Sequence, residues 1–233
     1  MSDTPIWPGL VDTEHLKSEF VDLSNLLANA ARDGDWDTVI EMVTESFWMT
    51  ANQWRVTGSS WFAPLHQVAW NGAPVEVAEK LIELGAWRSL RTADGDRPID
   101  IALRRNHLHL QDVLTVRTPS EHELEKYAAW DKRLDDLIKE RTSVLGPVKY
   151  RPVTTEVIGL EPLEHMWFSY PGMYGGFHMG VHWNRLVVES WCRVVGGSGA
   201  GNKVQRPSGD GARDCSASGS SEQSTGTFTT ATK

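Results

Sequence analysis

Three stretches of the chain place apolar residues at the 3.6-residue period of helices packed on one side. They are "LLANAARDGDWDTVIEMV" (26–43), "PLHQVAWNGAPVEVAEKLI" (64–82) and "PIDIALRRNHLHLQDVL" (98–114). Each opens on an apolar residue, reaches a small one three or four positions later, and turns near Gly34, Gly72 or Asn106. A second amphipathic segment follows each turn, carrying Val39, Met42 and Val43, then Val77, Leu81 and Ile82, then Leu110, Val113 and Leu114. The pattern predicts helix, turn, helix three times, with turn-to-turn spacings of 38 and 34 residues. A longer helix follows in "TPSEHELEKYAAWDKRLDDLIKERTSVLGP". Thr118 or Ser120 can cap it, Pro119 suits its first turn, and Gly146-Pro147 ends it. Its apolar stripe is Leu124, Tyr127, Leu134, Leu137 and Ile138, too short and too interrupted by Asp131 for a coiled coil. This helix is expected to cap the third unit or to serve as a connector.

From about residue 150 the period becomes two. In "GGFHMGVHW", Phe177, Met179, Val181 and Trp183 oppose His178, Gly180 and His182. In "RLVVESWCRVV", Leu186, Val188, Ser190, Cys192 and Val194 oppose Val187, Glu189, Trp191 and Arg193, and Asn184 between the runs predicts an antiparallel hairpin. "EHMWFSYPGMYGG" adds a strand and a Pro-Gly turn. After Gly196, Gly, Ser and Thr make up 19 of the last 37 residues, so this tail is expected to be disordered. Its abrupt start admits two origins, a native tail or an out-of-frame translation. The predicted organisation is an N-terminal extension (1–23), about three helical repeats (24–116), a capping or connecting helix (117–147), a small antiparallel sheet module (148–196) and the tail (197–233). The fold class is mainly α, and α+β overall.

The second repeat, "APLHQVAWNG" with "EVAEKLIELGA", resembles the ankyrin repeat family, whose unit contains T-P-L-H-x-A-A-x-x-G-H followed by V-V-x-x-L-L and G-A. It departs at Ala63, at Val68 and by one extra residue around Ala73 to Val75. "DGDRPIDIALRRNH" replaces the histidine by Asp100 and the turn glycine by Asn106, a residue that also tolerates the left-handed conformation. The first copy has Ala28 at the histidine position, as a divergent end repeat would. The resemblance covers about residues 24 to 116. It implies stacked helix pairs with finger-like hairpins, a protein-binding role, for His66 hydrogen bonds to backbone groups of neighbouring turns, and for His107 a capping role at a helix start.

Composition narrows the function classes. A net charge of -8 argues against generic nucleic-acid binding, which rests on Lys and Arg neutralising phosphates. Charge is uneven, however: residues 1–60 hold ten acids against Lys17, Arg32 and Arg55, whereas residues 87–105 hold five arginines against three aspartates. No stretch approaches the roughly 20 apolar residues that span a bilayer, and two cysteines make no disulfide framework. A cytoplasmic protein with no membrane and no nucleic-acid partner is expected.

No residue pattern nominates catalytic, cofactor or metal chemistry. His178 and His182 are separated by roughly 13 Å along one strand, too far to share a zinc ion. "HELEK" (122–126) has Lys126 where a zinc protease needs its second histidine, and "GGSGAGNKV" lacks the phosphate-loop spacing. Cys192 falls on the face predicted buried. The unusual signal is tryptophan, eleven in all. The family architecture carries Trp70, Trp87, Arg88 and Arg91 to the concave surface or its fingers, and because tryptophan and arginine are enriched at binding hot spots, these four with Arg97, Arg104 and Arg105 make the expected patch. The leading expectation is a non-enzymatic module binding a protein with an acidic surface through that patch. Two alternatives stand beside it: an enzyme with a site between repeats and sheet using His165, His178 or His182, and a purely intrachain scaffold whose concave surface is occluded.

Overall fold

The computed structural model describes residues 4–192 and the backbone of 193 and 223–230. Among these residues the architecture is α+β. The helices are α1 (Ser18–Asp33), α2 (Trp36–Glu45), α3 (Pro64–Asn71), α4 (Val75–Glu83), α5 (Pro98–Arg104), α6 (Gln111–Leu114), α7 (Glu121–Arg141) and α8 (Thr155–Leu160). The strands β1 (His165–Tyr170), β2 (Gly175–His182), β3 (Arg185–Arg193) and β4 (Gln223–Thr230) form one antiparallel sheet in the order of the chain. Residues 223–230, expected to belong to a disordered tail, supply β4: the threonines of "STGTFTT" suit a strand, and β3 offers an edge to pair with. The rest of the tail, 197–222 and 231–233, lies outside the described residues.

α1, α3 and α5 lie side by side, and α2, α4 and α6 form a second layer behind them. Leu27, Leu65, Val68, Leu81, Ile101, Leu110 and Leu114 fill the space between layers, and Ala30, Ala31, Ala69, Ala78 and Ala102 let the helices approach closely. Gly34, Gly72 and Asn106 take φ of 78°, 65° and 61°, the left-handed turn conformation expected of them. α1 starts earlier than the predicted boundary at residue 24, because Phe20 and Leu23 continue its apolar face against this core.

A second core joins the far end of the chain to its beginning. It includes Trp7, Trp54, Trp87 and Leu90 from the first hundred residues, Tyr127, Trp130, Leu134 and Ile138 from α7, and Met166, Phe168, Phe177, Met179, Leu186 and Val188 from the sheet. The long helix therefore packs as part of the sheet module. Ser120 caps α7 by accepting from Glu123 N–H, and Glu123 returns a bond from Ser120 N–H at 2.9 Å. The N-terminal extension is tied in as well: Trp7 N–H donates to Trp167 O at 2.7 Å and Trp167 N–H to Pro5 O at 2.8 Å, which covers the β1 edge.

Asp131 interrupts the apolar stripe for a structural reason. Its Oδ1 accepts from Thr155 N–H at 2.6 Å and Thr155 Oγ1 at 2.7 Å, holding the start of α8. Burial nevertheless pushes its carboxyl up to about 6. A raised carboxyl pKa means that ionisation costs stability above that value. Asp131→Asn keeps the acceptor oxygen, so it is expected to stabilise the protein by about 1–2 kcal/mol at pH 8 and to have little effect near pH 4. Urea unfolding at the two pH values checks this.

Candidate functional site

His66 is fully buried and spans two segments: Nδ1 accepts from Ala63 N–H at 3.1 Å, and Nε2–H donates to Leu90 O at 2.9 Å. This arrangement needs the neutral ring, and burial pushes its pKa down to about 4. At the corresponding place in the first turn of α5, Asp100 accepts from Arg97 N–H at 2.9 Å but, being acceptor-only, makes no tie to a carbonyl. His107 Nδ1 bonds Ala69 O and His109 Nε2 bonds Ala73 O, each at 3.0 Å. Asn71 makes the equivalent tie one unit earlier, to Ala31 O and Arg32 O at 3.2 Å. These polar side chains fasten adjacent helix pairs.

The structure divides the seven residues of the expected patch. Trp87 is 3% exposed, and its indole stacks on Trp7 with ring centroids 5.9 Å apart. A partner contact at Trp87 is therefore corrected to interior packing. Arg91 grips Glu156 with both arms, Nε to Oε2 at 2.7 Å and Nη2 to Oε1 at 2.9 Å, while Arg97 Nη2 reaches the same Oε1 at 3.0 Å. Arg88 donates to Thr115 O at 3.2 Å. Beside them Ser89 donates both its N–H and its hydroxyl to Glu161 Oε1 at 2.7 Å. Arg88, Arg91 and Arg97 are thus committed to partners inside the chain, and the charges of Arg91 and Arg97 are answered by Glu156 of α8.

Trp70, Arg104 and Arg105 remain at the surface. Arg104 pairs with Asp96 at 2.5 Å. The Arg105 guanidinium carbon sits 4.0 Å from the centre of the Trp70 ring, which is 44% exposed, and Phe62 meets the same indole edge-on at 6.0 Å. A guanidinium stacked on an indole keeps its donors free for a carboxylate while its flat face is already desolvated.

The histidines of the alternative enzyme site do come together, but not between repeats and sheet. His165 fills the space over Gly180, where its Nδ1 would lie 2.8 Å from an added Cβ, and its ring is 4.6 Å from His178 and 5.6 Å from His182. All three sit on the face of the sheet opposite Met166, Phe168, Phe177 and Met179, so the interdomain position is corrected. The rings form a column along the surface. Partial burial, and secondarily His165, hold His178 below the usual imidazole range. Among the described residues no group of three or more His, Cys, Asp or Glu is arranged to hold a metal ion.

Residues that the sequence did not nominate complete the junction. Arg151, 3% exposed, faces Trp7, Trp54 and Trp61 at 5.1, 4.6 and 4.6 Å and donates to Arg91 O. Burial pushes its pKa down to about 10. The tryptophan excess was the available signal, since a caged buried guanidinium needs several indoles. No family model matches the chain, and no curated protein matches it.

Proposed function

We propose that this chain is a non-enzymatic, cytoplasmic protein-binding module of ankyrin type. The finger side of its stacked helix pairs is occupied by the chain's own sheet module, and the exposed Trp70–Arg105 pair receives a protein with an acidic surface. The observation that carries this reading is the half-exposed Trp70 indole under the Arg105 guanidinium, backed by Phe62. Motif, turn residues and the two helical layers support the ankyrin type. The intrachain scaffold reading is favoured for the fingers by the Arg91, Arg97 and Ser89 bonds to Glu156 and Glu161.

Affinity capture from a lysate of the source cells, run with wild type, Trp70→Ala and Arg105→Glu, tests the proposal. A protein retained by wild type is expected to fall by tenfold or more with either variant, since removing a hot-spot tryptophan typically costs about 2 kcal/mol of binding. Equal recovery across the three proteins would overturn it.

A further inference from the structure

The first helix pair ends on aromatic side chains that the rest of the chain leaves open. Directly after α2, Phe47 is 96% exposed and Trp48 45% exposed. The two rings meet edge to face with centroids 6.3 Å apart, and Trp48 leans on Phe20 of α1 at 6.4 Å. The turn that carries them is fixed, because Ser46 Oγ accepts from Trp48 N–H at 3.1 Å and from Met49 N–H at 3.3 Å. An aromatic pair held in this way loses little freedom when a partner covers it, and such side chains are enriched at protein interfaces. Lys17 Nζ lies 4.9 Å from the centre of the Trp48 ring, so the indole already faces an ammonium group.

The helix that leads to this pair carries charge where it weakens a helix. Asp37, Glu41 and Glu45 follow one another at four-residue intervals, and all three are exposed, which makes one acidic stripe along α2. Like charges at that spacing repel. Glu45, the last residue of α2, also sets a negative charge at the end where the backbone dipole is already negative. The last turn holds no basic residue, and none of the three acids has an ion-pair partner among the described residues. The stripe runs for roughly 12 Å and ends at Phe47 and Trp48. Unanswered acids and open aromatic rings thus coincide on one surface, and departures from local consistency of this kind concentrate at functional positions.

The charge selects the partner. Nucleic acid and anionic lipid are repelled by the stripe, and a purely cationic chain makes no use of Phe47. We propose that α2 with Phe47 and Trp48 is a docking surface for an amphipathic helix of another protein. Lys or Arg repeated every four residues on that helix meets Asp37, Glu41 and Glu45, and an apolar residue at its end covers Phe47 and Trp48. The surface shares no residue with the Trp70–Arg105 site and takes a partner of opposite charge.

The probe is a fluorescently labelled synthetic helix with lysines at four-residue intervals and leucines at one end, titrated with the full chain at low salt and followed by anisotropy. Wild type is expected to bind it saturably. Phe47→Ser is expected to weaken binding about fivefold or more, and Glu41→Lys with Glu45→Lys about tenfold or more. The lysine variant should melt no lower than wild type, since it relieves the repulsion along α2. Glu125→Lys with Glu140→Lys, the same change of net charge at exposed positions of α7, is expected to stay within about twofold of wild type. A probe with serine in place of its leucines is expected to bind about fivefold more weakly or worse. Absence of saturable binding to wild type overturns the proposal, as does binding that survives Phe47→Ser or the loss of the leucines. An equal loss with the α7 variant overturns it too, since attraction would then follow net charge alone.

Discussion

Replacing His66 by leucine is expected to lower stability at pH 7 by about 3–4 kcal/mol, because two buried backbone groups lose their partner at once. Ala63 N–H and Leu90 O are each left without the bond the ring supplied, and a leucine of similar bulk limits any cavity contribution. The pH dependence gives a second, sharper signature. The folded protein holds His66 near 4 against 6.5 for an ordinary imidazole. A depressed histidine contributes stability that is present above pH 6.5 and is lost as pH falls toward 4, because the unfolded chain takes up the proton first. A difference of that size amounts to roughly 3 kcal/mol. Asp131, raised from 3.8 to about 6, titrates with the opposite sign in an overlapping window. The comparison is therefore wild type minus His66→Leu by urea unfolding at several pH values, in which the Asp131 contribution cancels. The difference is expected to shrink steadily below pH 6.5. A difference that stays constant to pH 4 would show that His66 is not held neutral between the two backbone groups.

The other large effect is expected at Glu156. This carboxylate is 7% exposed and is shared by Arg91 and Arg97, so Glu156→Ala leaves two partly buried guanidinium groups unpaired. Breaking a buried pair on one side costs about 3–5 kcal/mol, much more than losing a surface pair. The loss should be concentrated at the junction of the helical layers and the sheet module. Hydrogen exchange is expected to accelerate in α8 and in residues 87–97 while α1 to α4 keep their protection. In a double-mutant cycle, Arg91→Ala in the Glu156→Ala background should cost far less than it does alone. A Glu156→Ala protein within about 1 kcal/mol of wild type, with unchanged exchange, would mean that the junction is held by the indole cage alone.

The helical half of the fold was legible because its signals are local. The 3.6-residue stripes, Gly34, Gly72 and Asn106 at the turns, and Ser120 before α7 all act within a few residues of one another. The β2–β3 hairpin was legible for the same reason, through alternation and Asn184. What escaped is nonlocal. Glu156 lies 65 residues from Arg91, and Trp7 lies 144 residues from the Arg151 carbonyl its indole bonds. Spacing cannot show that an arginine-rich segment is already neutralised by a carboxylate on a distant short helix. The same blindness explains Trp87: a tryptophan in a finger is equally compatible with a partner and with a stack on Trp7. The eleven tryptophans were a true anomaly whose explanation is largely internal, since Trp7, Trp54, Trp87 and Trp130 are buried in one core. His165 joining His178 and His182 required the β1–β2 register, which places Gly180 opposite His165.

The division of labour between the inward arginines and the Trp70–Arg105 surface is tested most directly with an isolated partner, by measuring its Kd and the thermal midpoint for Trp70→Ala and Arg91→Ala. Trp70→Ala is expected to weaken binding at least tenfold with a midpoint close to wild type, and Arg91→Ala to lower the midpoint by several degrees with an unchanged Kd below it. The reverse pattern, binding lost with Arg91→Ala at undiminished stability and kept with Trp70→Ala, would contradict the account.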